Sequence, residues 1–273
     1  MLFEVERISK SFTSFPYRTV QVLSDVSLSV AGGDALGLVG ESGSGKSTIV
    51  KCMLRLIRPE TGRIAYDGID VVHAEGAALK RFRREVQLVF QDPYGSLNPR
   101  MTAEELIAEG LIVHGIESSS AKRRERVGEM MQMVGLNPAD MTRYPRSFSG
   151  GQRQRLAIAR ALVIRPRILV CDEPVAALDV SVQAQVINLL QDMQRQLDLA
   201  IIFVAHDLAV VRHLCERIAV LNAGRVVEHG SREEIFGAPK DPYTQSLLAA
   251  VPVPDPVAGR KRRAALRRQP ALS

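Results

Sequence analysis

Residues 40–48 read GESGSGKST. The fixed positions of GxxxxGK[ST] are all present: two glycines that let the backbone wind tightly, then a lysine and a hydroxyl. Such a loop points its N–H groups inward around phosphates, and a helix starting behind it adds partial positive charge. Gly40, Glu41, Ser42, Gly43, Ser44, Gly45, Lys46, Ser47 and Thr48 would therefore cradle a nucleotide's phosphates. Lys46 would reach the β- and γ-phosphates, and the Ser47 hydroxyl would bind Mg²⁺. A second constellation is ILVCDEP at 168–174, an apolar run ending in Asp172 and Glu173. It would place two carboxylates at the carboxyl edge of a sheet, where α/β proteins bind ligands. Asp172 suits Mg²⁺, held directly or through water, and Glu173 suits polarising an attacking water. Cys171 within the run reads as a small core residue.

The elements around these residues can be read from patterning. Phe3, Val5 and Ile8 mark a strand, and VLSDVSLSV at 22–30 alternates with period two. ALGLV at 35–39 is a continuous apolar run, as expected of a parallel strand covered on both faces. Helical spacing follows over 47–57, and a hairpin-like stretch surrounds 63–66. From about 92 to 163 strand signals fade and good helix formers dominate, with helices expected at 103–110, 121–134 and 151–164. Strands resume at 168–171, 200–205 and 218–221, with helices between them. Strands alternating with helices predict an α/β fold with a mostly parallel sheet, into which the helical middle is inserted.

Ser149, Gly150, Gly151 and Gln152 form SGGQ inside SFSGGQRQRLAIARAL. This resembles the signature of ABC-type ATPases. Other ordered elements agree: Gln91 in VFQDP, Asp179 in ALD after the acidic pair, and His206 after AIIFVA. The resemblance implies a P-loop NTPase (RecA-like) core with an N-terminal antiparallel β-subdomain and an inserted α-helical subdomain. It also implies pairing with a second ATPase, head to tail. Ser149, Gly150, Gly151 and Gln152 would then meet the partner's ATP, Gln91 would contact Mg²⁺ or the attacking water, and His206 the γ-phosphate. Asp179 would join the nucleotide-binding set. The family stacks adenine on an early aromatic residue; Phe12 in SKSF fits, with Phe15 and Tyr17 close by.

Three longer segments, VFQDPYGSLNPRMT (89–102), CDEPVAALDVSVQAQVINLL (171–190) and DPYTQSLLAAVPVPDP (241–256), resemble ATP-binding subunits of oligopeptide, dipeptide and nickel importers. The last reads bottom-up as a short amphipathic helix over 242–251 begun by proline, then an extended piece. Ala176 stands where relatives often carry serine. No cysteine follows Cys215, so the C-terminal cysteine cluster of some relatives is missing. The resemblance implies one nucleotide-binding domain over 1–256. Its core would be 1–91 and 164–236, its helical part 92–163 and its family-specific segment 237–256. Implied partners are a second ATPase subunit (identical or related), two permease subunits in the membrane and, indirectly, a solute-binding protein. The expected place is the cytoplasmic face of the inner membrane. A soluble assembly, such as a phosphonate-cleaving one, is the alternative. A non-hydrolysing module is disfavoured because no catalytic position is missing.

Composition bounds the rest. The 273 residues carry 36 Lys+Arg against 30 Asp+Glu, a net charge of +6. Six of those bases, Arg260, Lys261, Arg262, Arg263, Arg267 and Arg268, lie in 259–273 without an acid, and removing them leaves a neutral body. A generally basic nucleic-acid-binding surface is thereby excluded. The basic tail (257–273) reads as solvated and disordered, or as a contact for an anionic leaflet. Three cysteines without CxxC spacing form neither a disulfide framework nor a zinc site. The start MLFEVERISK does not read as a signal peptide. The apolar run 199–205 is far shorter than the ~18–20 residues that span a bilayer.

Overall fold

The structure is a computed structural model that describes residues 1–14 and 18–250. Phe15, Tyr17, Val251 and the basic tail lie outside the described residues.

Its strands are β1 (Phe3–Ser14), β2 (Arg18–Val30), β3 (Ala35–Val39), β4 (Thr61–Tyr66), β5 (Ile69–Asp70), β6 (Val86–Val89), β7 (Ile168–Asp172), β8 (Ala200–Ala205), β9 (Arg217–Asn222) and β10 (Arg225–Ser231). They form two sheets. A four-stranded antiparallel sheet has the order β2-β1-β4-β5, and a six-stranded sheet has the order β10-β9-β3-β8-β7-β6. In the second sheet only β10 runs antiparallel to its neighbour.

The helices are α1 (Lys46–Met53), α2 (Gly76–Glu85), α3 (Pro93–Ser96), α4 (Ala103–Val113), α5 (Ser120–Met133), α6 (Gly150–Leu162), α7 (Val180–Leu197), α8 (Leu208–Leu214), α9 (Arg232–Gly237) and α10 (Pro242–Ala250). Helix α1 ends at Met53, short of the expected 57, in a turn that closes on Lys51 and Cys52 carbonyls. Among the described residues no helix is long and apolar enough to cross a membrane.

The large sheet is buried on both faces, which is why its strands read as unbroken apolar runs. Along β3, Leu36 and Leu38 face the antiparallel sheet and α1, together with Ile168, Val170, Ile202 and Val204. Ala35 and Val39 face the opposite layer with Leu169, Cys171, Ile201 and Phe203, against α6, α7 and α8. The same layer continues into α4 and α5 through Leu106, Leu111, Val127 and Met131. Register places the carboxyl ends of three parallel strands together: Val39 pairs with Ala205, and Asp172 pairs with Val204. Everything that β3, β7 and β8 release into loops therefore emerges at one edge.

Candidate active site

At that edge the loop after β3 meets the acidic pair after β7 and the histidine after β8. Lys46, Ser47, Thr48, Ser42, Gly43 and Gly45 line a cleft of about 300 Å³ with Val22, Gln91, Glu173 and His206. Gly45 is the N-cap of α1 with φ of 107°, a conformation that side-chain-bearing residues avoid, and no side chain caps the helix. The first-turn N–H groups of α1 therefore stay available to an anion.

Glu173 is the hub. Its carboxylate receives His206 Nδ1 at 3.1 Å and Gln91 Nε2 at 3.4 Å, and lies 3.6 Å from Lys46 Nζ. Its backbone sits in the left-handed region (φ 46°), and its N–H donates to the Val204 carbonyl at 3.1 Å. A non-glycine residue in that conformation costs on the order of 1 kcal/mol, accepted here because β8 holds the backbone in place. Lys46, 4% exposed, donates to the carbonyls of Gly40 (2.7 Å) and Glu41 (2.9 Å).

Asp172 lies one residue deeper. Burial pushes its carboxyl above the ordinary range, the Glu173 charge adds to this, and the Ser47 hydroxyl and Lys46 pull it back only in part. Its Oδ1 is buried with no hydrogen-bond partner among the described residues. A carboxylate oxygen that is buried, unpartnered and beside a hydroxyl fits a hard divalent cation, which takes one or two carboxylates and completes its shell with phosphate and water. The Ser44 hydroxyl is likewise buried and unpartnered.

The SGGQ group stands apart from this cleft. Ser149 caps α6: its hydroxyl accepts from Gln152 N–H at 3.3 Å, and the Gln152 side chain accepts from Ser149 N–H at 2.9 Å. Asp179 caps α7, accepting from Val182 N–H at 2.9 Å. The two caps adjoin, since a Cβ on Gly151 would come within 2.5 Å of Val182 Cγ1. The candidate residues therefore form two groups, one around the phosphate loop and one made of Ser149, Gly150, Gly151, Gln152 and Asp179. Phe12 is 43% exposed near the open end of the β1–β2 pair, opposite Val20, with Lys10 Nζ 5.5 Å from its ring centre. It is not among the cleft-lining residues.

Several contacts had no local signal in the sequence. The Arg153 guanidinium stacks on Tyr94, 3.9 Å from the ring centre, tying α6 to the segment after Gln91. Tyr243 of α10 reaches the phosphate loop, where Glu41 N–H donates to its hydroxyl at 3.0 Å. The helical pattern of 242–251 does not contain what its tyrosine touches. Cys171 and Cys215 are buried, and burial raises both thiols well above their ordinary range, as inert core residues require.

A glycine loop running into an uncapped helix start, with a buried lysine and a carboxylate 3.6 Å from it, defines a nucleoside triphosphatase of the P-loop class. Comparison with known proteins narrows this. Residues 23–176 match the family described as ABC transporter, and 227–273 match the oligopeptide/dipeptide transporter C-terminal region. The chain belongs to the ABC transporter family. The oligopeptide transport ATP-binding protein OppF of Streptococcus mutans is 46% identical over 261 residues, covering 96% of this chain and 85% of that protein. The dipeptide transport ATP-binding protein DppF of Lactococcus lactis is 44% identical over 261 residues, covering 95% and 84%. Among solved structures, the dimeric ATP-binding cassette MJ0796 bound to ADP and Pi is 31% identical with a TM-score of 0.76, over 84% of this chain and 98% of that one. The C-terminal match runs through the basic residues of 259–273 as well as α10.

Proposed function

We propose that this chain is the ATP-binding and hydrolysing subunit that powers a peptide importer. The observation that carries the reading is Glu173 held by His206 and Gln91 beside Lys46, at the mouth of the phosphate loop. Lys46 exchanges its two loop carbonyls for the β- and γ-phosphates of ATP. Glu173 accepts the proton of the attacking water, and His206 and Gln91 fix which way its oxygens point. Ser47, Asp172 and Gln91 would hold Mg²⁺, which when bound neutralises charge on the phosphates. Catalysis is then mainly positioning and charge stabilisation.

The division of candidate residues into two groups supports work in pairs. The Ser149–Asp179 group lies outside its own cleft and is free to complete the cleft of a second ATPase subunit, either a copy or a related chain. A groove beside Gln91, lined by Leu56, Phe90, Val113 and His114, supports contact with a short helix from each of two membrane permease subunits. Leu56, Phe90 and Val113 are large apolar side chains left exposed there. Such a subunit sits peripherally on the cytoplasmic face of the membrane and meets the solute-binding protein only through the permease. The names of the relatives favour this over a soluble phosphonate-cleaving assembly.

The test is Glu173→Gln. The variant is expected to bind ATP with affinity within about twofold of the parent and to lose turnover by about a hundredfold or more. Undiminished steady-state hydrolysis would remove Glu173 from its role. Purification of the intact complex separates the two settings: a multi-span permease supports import, and purely soluble partners support the alternative.

A further inference from the structure

The phosphate loop is braced from the C-terminal side at two points. Gly224 N–H, in the β9–β10 turn, donates to the Ser44 carbonyl at 2.9 Å. The second brace is the Tyr243 hydroxyl, which accepts from Glu41 N–H across 202 residues of chain. The tyrosine is itself firmly placed. Glu228 of β10 clamps two successive amides, accepting from Lys240 N–H at 2.7 Å and Asp241 N–H at 3.1 Å. Burial pushes the Glu228 carboxyl up, but the Lys240 amide, the Thr244 hydroxyl, the Asp241 amide and the Lys240 charge together hold the group below its ordinary range. Asp241 Oδ1 then accepts from Tyr243 N–H at 2.8 Å, and Leu248 anchors the helix in the core.

We propose that Tyr243 is a positioning residue for the phosphate loop, so that the C-terminal helix α10 sets the affinity of the site for nucleotide. The inference rests on the reading of that loop as the ATP site. Without nucleotide, Lys46 holds the loop's first turn through the Gly40 and Glu41 carbonyls. When Lys46 turns to phosphate those two hydrogen bonds are given up, and the turn rests on the Glu41 N–H to Tyr243 bond together with the Ser44 N–H to Glu41 carbonyl bond and the Gly224 brace. The hydroxyl therefore matters more in the bound state than in the free one, which is the condition for an effect on affinity. By linkage, nucleotide occupancy in turn stabilises the docking of α10. The contact joins two separately matched regions, 23–176 and 227–273.

The experiment compares the full-length chain with Tyr243→Phe, which removes only the hydroxyl, and with Gln245→Ala. Gln245 donates to the Pro239 carbonyl, so its loss loosens α10 without touching the loop. ATP binding by titration is expected to weaken about three- to tenfold in Tyr243→Phe, the usual worth of one neutral hydrogen bond. The nucleotide-free variant should melt only slightly below the parent, as befits one exposed hydrogen bond, and no further below it than Gln245→Ala does. In the intact complex, KM for ATP should rise while kcat at saturating ATP stays within about twofold. Unchanged ATP affinity overturns the proposal, as does a fall in kcat without a change in KM. Equal weakening by Gln245→Ala also overturns it, since the effect would then be general loosening. Failure of the parent chain itself to bind ATP would instead remove the reading of the loop on which the inference rests.

Discussion

Helices α1 and α6 both start beside a glycine, Gly45 as the N-cap of the first and Gly150 as the first residue of the second, yet the two starts are built in opposite ways. Gly45 leaves α1 uncapped by any side chain. Helix α6 has a complete capping box, in which Ser149 and Gln152 satisfy each other's N–H groups. The open start has unspent donors and lies in its own cleft with Lys46 and Glu173. The closed start has satisfied the Ser149 and Gln152 amides locally and lies against Asp179 and Val182 instead. A helix N-terminus becomes a standing anion site only when nothing local competes for its amides. The closed start is held by its own cap without a ligand, which suits the role proposed for it above, meeting phosphate only when a second subunit brings it.

Substitutions that break this contrast should act differently on binding, turnover and stability. Lys46→Ala at the open start should weaken ATP binding by about a hundredfold or more, measured by titration, because the remaining amides lose their one mobile cation. Tight binding by that variant would mean the loop is not the phosphate site. Ser149→Ala at the closed start should leave ATP binding by the isolated chain within about twofold, while complex turnover falls about tenfold. The same variant should lose about 1 kcal/mol of stability in urea, the worth of a lost cap. If it weakened binding by the single chain, the two starts would not be separate.

The smallest effect concerns the carboxylate beneath the open start. Asp172 has a raised pKa in the folded chain, so the fold binds more protons than the unfolded chain across the window from the ordinary carboxylate range up to that raised value. Stability contributed by this group is present below the window and is lost as pH rises through it. Asp172→Asn should therefore raise the melting temperature of the nucleotide-free, Mg²⁺-free chain at about pH 8 and have little effect at about pH 4. Added Mg²⁺ and ATP should stabilise the parent and not the variant.

Much of the cleft was legible in the sequence because the phosphate loop and the acidic pair sit at strand ends, while Gln91 and His206 came with the family resemblance and Val22, inside β2, gave no signal. GESGSGKST, Asp172-Glu173 and His206 are strand-end features, and a parallel sheet gathers its carboxyl ends at one edge. Strand β6 and helix α2 gave no such signal: four residues of strand, half-buried in the middle, show no period that separates them from a helix. The brace from Tyr243 was hidden for another reason. A single hydrogen bond over 202 residues depends on how β10, the Glu228 clamp and α10 are folded together, and no local pattern contains that. The separation of Ser149 from its own cleft was implied by the resemblance alone, since nothing local in the chain between Lys46 and Glu173 contains it.

The strand order has a consequence for how the chain is made. Strand β3, which carries the phosphate loop, is flanked only by β8 and β9. Neither neighbour exists on the ribosome until residues beyond Ala200 and Arg217 have been synthesised. For most of translation ALGLV is an unpaired apolar strand, and the loop behind it has no sheet to rest on. Closure over so long a span is slow relative to local helix formation, so the helices α4 and α5 can form while the nucleotide site is still waiting. The nascent chain thus passes through a long interval in which an apolar core strand has no partner, the condition under which aggregation competes with folding.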